Sequence, residues 1–143
     1  MKYLYDEITA QIWPAFRKLR GQFSAHRGYS ENEKRNALLN ELKAAGLAVS
    51  KEVPVVHTEN GKRIGYGRMD LVLECRVVVE VKDKPALTQA DIDQLDLYLI
   101  NSGLPVGVLL NFGAAEANLQ NPDDLKKVFI RRYKRENDPT LKA

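Results

Sequence analysis

Cysteine is nearly absent from this chain. Cys75 stands alone, which excludes an intrachain disulfide and a cysteine-based zinc site. Histidine is almost as scarce: His26 and His57 share no metal-ligand spacing, and no Ser-His-Asp constellation accompanies them. There is no phosphate-cradling glycine loop or dinucleotide fingerprint; Gly65 and Gly67 flank Tyr66 inside a strand-like stretch, where they read as a bulge or a close backbone approach. No apolar run approaches the length of a membrane span, and the opening MKYLYDEITA carries acids where a signal peptide needs an uninterrupted apolar region. A cytoplasmic protein with no membrane partner is therefore expected. Nor does one sign of charge dominate. Lys and Arg number 22 against 19 Asp and Glu, a net +3, which permits a phosphate-rich partner without demanding one.

What is present is enough for one ordinary domain: 143 residues, 44% of them hydrophobic, without internal repeats. Leu4, Ile8, Ile12, Phe16 and Leu19 recur at helical spacing, predicting an amphipathic helix over about residues 3–20 that Pro14 must kink or divide. Gly21 to Tyr29 reads as a polar, basic connector. Ser30 opens a second helix, with Glu33 completing a capping box and Gly46 closing it. Val49 to Thr58 is a strand, Asn60-Gly61 a hairpin turn, and Arg63 to Leu73 the returning strand. A third strand runs from about Arg76 to Lys82 and stops at Pro85. Thr88 caps a helix with an Ile92, Leu95 and Leu99 stripe, which Gly103 ends. PVGVLL at Pro105–Leu110 suits a buried strand, Asn111-Phe112-Gly113 turns the chain away, and Val128-Phe129-Ile130 offers a last edge strand. Helix, helix, three-strand meander, helix and strand make an α/β domain with a mixed sheet.

Chemistry concentrates in MDLVLECRVVVEVK, from Met69 to Lys82. If the turn centres on Cys75, Asp70 lies directly opposite Glu80, while Glu80 and Lys82 share a face by strand alternation. Opposed carboxylates with Cβ atoms about 5 Å apart repel and want a cation between them. Lys82 partly serves; a hard divalent ion, which binds through one or two carboxylates and keeps several waters, serves better. The same letters also suit a solvated hairpin face, and a one-residue change of turn sends Asp70 to the other side. Glu31 falls in line with Leu38 and Leu42 on the second helix, either as a carboxylate within the buried stripe or as an acid complementing the helix dipole. Gln94 and Tyr98 are neighbours on one edge of the third helix, able to hold a water or a phosphate oxygen, or simply to form a polar helix margin. Arg68 shares Asp70's face by the period of two and is a candidate phosphate contact. Lys126, Lys127, Arg131 and Arg132, with Lys134 and Arg135 beyond, form a basic run interleaved with Phe129 and Tyr133. It suits a phosphate backbone or a charge-guarded edge strand.

Taken in order, an acidic helix residue, a hairpin Asp, a Glu-x-Lys strand and a Gln-x-x-x-Tyr helix resemble the PD-(D/E)XK nuclease superfamily, and in particular its small GxxExxY branch. The branch motif reads Gly28-Tyr29-Ser30-Glu31-Asn32-Glu33-Lys34 here, with Lys34 where the family has its tyrosine. The resemblance implies a restriction-endonuclease-like αβββαβ core, a mixed β-sheet flanked by helices. It divides a single domain over residues 1–143 into an N-terminal helix and connector (1–27), the core (28–113) and a polar, basic segment (114–143). It also implies metal-dependent phosphodiester hydrolysis on nucleic acid. Asp70 and Glu80, aided by the Val81 carbonyl, would hold Mg2+ or Mn2+, and Glu31 would bind a metal water or a second ion. Lys82 would orient water and Gln94 would position it or the phosphate, with Tyr98 behind. A catalytically inactive binding or assembly protein on the same fold is the alternative, and a homo-oligomer is compatible with either.

Overall fold

The computed structural model describes residues 5–25 and 28–134; Leu4, His26 and Arg135 lie outside them. Helix α1 spans Asp6–Ala25 with Pro14 inside it. It is neither divided at Pro14 nor finished near residue 20, as the sequence pattern suggests. The reason is tertiary: Ile8, Ile12, Phe16 and Leu19 are buried, and Phe23 continues the stripe against Phe112 with ring centroids 5.4 Å apart. Burial along the whole stripe outweighs the one helical hydrogen bond that proline removes.

Helix α2, Glu31–Ala44, has the expected capping box: Glu33 N–H donates to the Ser30 hydroxyl, and Ser30 N–H donates to the Glu33 carboxylate. At its other end Gly46 adopts φ 93°, and Leu47 N–H reaches the Leu42 carbonyl in a Schellman-type closure. Strands β1 (Val49–Glu59) and β2 (Lys62–Leu73) form a hairpin across Asn60 and Gly61, both at positive φ (52° and 77°). Strand β3 (Val77–Lys82) returns antiparallel to β2. Helix α3 (Gln89–Ser102) then crosses over to β4 (Val106–Asn111), which runs parallel to β3. The one-turn helix α4 (Pro122–Leu125), started by the Asn121 cap and Pro122, precedes the edge strand β5 (Phe129–Tyr133). The sheet order is β1-β2-β3-β4-β5.

Apart from the outer part of the β1–β2 hairpin, the sheet is covered on both faces. Helices α1 and α2 pack with Leu71, Leu73, Val77, Val79, Val81, Val108 and Leu110; α3 packs with Val72, Val78 and Leu109 on the other side. This is the α/β, restriction-endonuclease-like arrangement expected, with five strands and flanking helices. No helix among the described residues is long and apolar enough to cross a membrane.

Asn111, fully buried at the end of β4, ties the loop after β3 to the rest. Its side-chain oxygen accepts from Lys84 N–H and Gly113 N–H, each at 3.0 Å, and its amide donates to the Lys84 and Lys127 carbonyls, each at 2.9 Å. The Lys84 ammonium meanwhile bonds both oxygens of Asp91, whose second task is capping α3 through Thr88. Loop and helix start are thereby fixed together. Asn111→Asp keeps the shape but leaves two buried carbonyls facing a carboxylate. It should cost about 3 kcal/mol or more, read as a lowered urea midpoint with an unchanged slope; an unaltered midpoint would remove Asn111 from this role.

Candidate active site

The pairs Leu71↔Val79, Val72↔Val78 and Leu73↔Val77 set the β2–β3 register. The turn between them is Glu74-Cys75-Arg76, with Glu74 and Cys75 at φ 51° and 54° and Arg76 N–H bonded to the Leu73 carbonyl. Continued by one pair, this register sets Asp70 opposite Glu80. There the main-chain ladder gives way to side chains: Val81 N–H donates to Asp70 Oδ2 at 2.8 Å, and Asp70 N–H donates to Glu80 Oε1 at 3.3 Å. Each carboxylate stands in for a backbone acceptor on the opposing strand.

Strand alternation breaks at the same point. Met69 packs with α3, whereas Leu71, two residues on, packs with α1 and α2. Across the ladder, Glu52 adopts φ 52° between Lys51, which pairs with Leu71, and Val53, which pairs with Met69. A period of two therefore does not carry from Arg68 to Asp70, and Arg68 is exposed.

Glu80 is only 3% exposed. Burial pushes its carboxyl well above the usual carboxylate range; the negative charge of Asp70 and a hydrogen bond to that carboxylate push it the same way, against the pull of Lys82. Burial also raises the Tyr98 hydroxyl, followed by the charges of Glu80 and Asp70. Tyr98 is thus a neutral donor beside the pair. Lys82 Nζ donates to Gln94 Oε1 at 3.1 Å, which holds the ammonium toward α3. Asp70, Glu80, Lys82, Gln94 and Tyr98 are therefore brought into one neighbourhood by the β2–β3 register and one edge of α3.

Glu31 is not brought in. It is exposed in the first turn of α2, and among the described residues no group of three or more His, Cys, Asp or Glu side chains is placed to share a metal ion. The α2 residue that reaches the pair is Arg35, one turn later. Its guanidinium lies 3.7 Å from Asp70 Oδ1 and 3.1 Å from Glu52 Oε1. The sequence signal for Arg35 was its position four residues after Glu31 on the same helical edge. Lys34, next to it, pairs with Asp83 at 2.6 Å and sits 5.8 Å above the Phe23 ring.

The basic run lies elsewhere, since β4 separates β5 from β3. Arg132 is held by both oxygens of Asp96, Arg131 by Asp6 and Thr9, and Lys127 by Asp124. Its arginines thus face carboxylates on α1 and α3, on a strand at the sheet edge as the charge-guarded reading expects; Lys126 is exposed. His57 is half-buried, its ring stacked on Tyr98 at 5.6 Å and 8°. The expectation of a close approach holds at Gly67, where a Cβ would sit 2.6 Å from Tyr98 Cε1. At Gly65, which has open space, the other reading holds: the ladder shifts by one residue between the pairs His57↔Gly65 and Thr58↔Arg63, a bulge.

The family model of the PD-(D/E)XK nuclease superfamily matches residues 6–122, a span that contains every residue of this neighbourhood. The chain belongs to the PD-(D/E)XK nuclease superfamily. No curated protein matches it significantly. Among solved structures, a chain described as "Crystal structure of SSO0001" is similar at 15% identity and a TM-score of 0.40, over 85% of this chain and 75% of that one.

For a member of a nuclease superfamily, the question is whether these residues suit a metal ion. Two carboxylates, one of them drawn toward its neutral form first by burial and then by the charge of its neighbour, make a hard-oxygen donor pair short of positive charge. A divalent cation that keeps most of its waters suits such a pair. The donor set therefore fits.

The raised Glu80 value has a consequence for stability in the metal-free protein. Its stabilising contribution is complete below the ordinary value of 4.5 and is lost as pH climbs through the raised folded value. With EDTA present, Glu80→Gln should melt about 3–5 °C higher than the parent at pH 8, with the gap closing as pH falls toward 4.5. Parallel melting curves across that range would contradict the proton-sharing arrangement.

Proposed function

We propose that this protein is a magnesium- or manganese-dependent nuclease of the GxxExxY type, hydrolysing phosphodiester bonds of DNA or RNA in the cytoplasm as a single domain. The observation that carries the reading is the reciprocal bonding of Asp70 and Glu80 at the end of the β2–β3 ladder, with the Lys82 ammonium held beside them by Gln94.

Asp70 and Glu80 are the residues that would hold the ion, with the Val81 carbonyl as a third hard oxygen. When bound, such an ion polarises the phosphodiester and makes water a better nucleophile. Lys82 supplies a positive charge where negative charge develops on the phosphate, and Gln94 keeps its ammonium in place before substrate arrives. Tyr98, protonated at any physiological pH, offers a hydroxyl donor behind that pair. Lys34 replaces the tyrosine of the branch motif, and its bond to Asp83 makes it a brace for the segment after Lys82. Glu31 has no assigned part, because its place at the open end of α2 keeps it apart from the pair.

One observation favours a second reading, in which the fold binds nucleic acid or protein without cutting. Arg35 already supplies a cation to Asp70 at 3.7 Å. Calorimetric titration and nuclease assay decide between the two. The parent should bind magnesium or manganese and cleave at least one of single-stranded DNA, duplex DNA and RNA. Lys82→Ala should lose about a hundredfold or more in turnover while keeping metal affinity, and Asp70→Asn should lose both. Undiminished cleavage by Lys82→Ala would reject the mechanism. Metal binding without cleavage of any substrate would favour the second reading.

A further inference from the structure

The β1–β2 hairpin reaches beyond the helices that cover the rest of the sheet. From β1, the α1–α2 core takes only Val49. On the α3 side the hairpin is anchored: Val55 is buried, Gly67 lies against the Tyr98 ring, and Thr58 N–H donates to Asn101 Oδ1 at 2.9 Å. Its opposite face carries Val56 and Tyr66, a cross-strand pair, with Pro54 and Arg68 as the next pair toward the candidate site. No helix among the described residues covers that face. Tyr66 is 67% exposed, Ile64 60% and Val56 39%.

Apolar groups this large and contiguous mark a binding surface more often than an accident of folding. The charges around them indicate what binds. Of the six ionic side chains from Lys51 to Arg68, four are cations, and one of the two acids, Glu52, is already paired with Arg35. The Arg63 guanidinium lies over the Tyr66 ring, 4.7 Å from its centroid, and donates to the Tyr66 hydroxyl. That contact restrains the ring against solvent rather than against the core. Tyr66 precedes Asp70 by four residues on the same strand, about 13 Å at the usual rise.

We propose that the outer face of this hairpin is a stacking platform for unpaired nucleotides, with Tyr66 taking a base and Arg63 and Arg68 the flanking phosphates, on the strand that sets Asp70 against Glu80 but across the break in its alternation. This rests on the nuclease reading of that pair but is separable from it. A base in a duplex is already stacked on its neighbours, whereas an exposed aromatic ring between cations serves a strand whose base faces are open. The face therefore selects single-stranded over duplex substrate, and it does so before any chemistry.

Binding measured by fluorescence anisotropy in EDTA, where no turnover occurs, tests this directly. The probes are labelled single-stranded DNA, single-stranded RNA and the matching DNA duplex. The parent should prefer both single strands. Tyr66→Ala should weaken single-strand binding about tenfold with little effect on the duplex, Tyr66→Phe should retain most of the affinity, and Tyr66→Leu should not. Arg68→Ala should lower the salt dependence of single-strand binding by about 0.7 in log–log slope. Because Tyr66 is exposed, unchanged melting should show that the variants fold. Parent-like single-strand binding by Tyr66→Ala overturns the proposal, even if the parent proves to be a nuclease. So does a loss confined to self-association in sedimentation, which would make the face a protein interface. Tyr66-dependent binding without cleavage of any substrate would sustain the platform while rejecting the nuclease reading. A parent that binds none of the probes overturns the platform.

Discussion

The register of the β2–β3 hairpin is the constraint on which everything else at the candidate site depends. It is set by the three residues Glu74-Cys75-Arg76, two of them at positive φ. With that turn, Leu71 and Val79 pair and Asp70 comes opposite Glu80; one residue more or fewer would shift every side chain of one strand to the other face. The cost of such a slip would be large, because Leu71, Leu73, Val77 and Val79 are all fully buried against α1 and α2. Core packing thus enforces an arrangement that is locally unfavourable. Two acidic side chains are pressed together, one of them buried, by the apolar residues on either side of them.

That local cost is moderated in three ways, each visible in the geometry. Burial, and then the charge of Asp70, hold the Glu80 carboxyl well above the usual carboxylate range, which favours its neutral form. Two backbone N–H groups, of Asp70 and Val81, donate to the carboxylates where the ladder would otherwise leave them open. Arg35 approaches Asp70 from α2. Under the proposed function, a divalent cation held between the carboxylates would moderate the cost further.

The second element of the site, α3, is placed with equal care. The parallel β3–β4 pairing requires a crossover, and α3 provides it. Its start is fixed by Asp91, bonded to Lys84 and Thr88, and the loop carrying Lys84 is fixed in turn by Asn111. The helix lies close to the sheet, since a Cβ on Gly107 would meet Leu95 at 2.6 Å. Gln94 and Tyr98, one turn apart on this anchored helix, consequently meet Lys82 and the carboxylate pair respectively.

Much of this was legible in the sequence because it is local. Caps at Ser30 and Thr88, the Asn60-Gly61 turn, the glycine closures at Gly46 and Gly103 and the alternation of the strands are all short-range patterns with short-range causes. The turn centred on Cys75 sufficed to set Asp70 against Glu80. What the sequence could not show were interactions between segments far apart in the chain. Pro14 predicts a kink or a division, and the helix is not divided because the stripe that carries α1 through it is held by contacts with Phe112 and the sheet. For Glu31 the helix angle allows both a place among buried leucines and an exposed first-turn acid on the helix dipole; the fold takes the second, and Arg35 is the residue that meets Asp70. Arg131 and Arg132 resembled a basic patch until the fold set Asp6 and Asp96 beside them. The sequence by itself determined the elements and the pairing of the two carboxylates, because turn length and hydrophobic period act within a few residues. Only the tertiary structure decided which charges are neutralised and which remain open, because that depends on partners brought together from opposite ends of the chain.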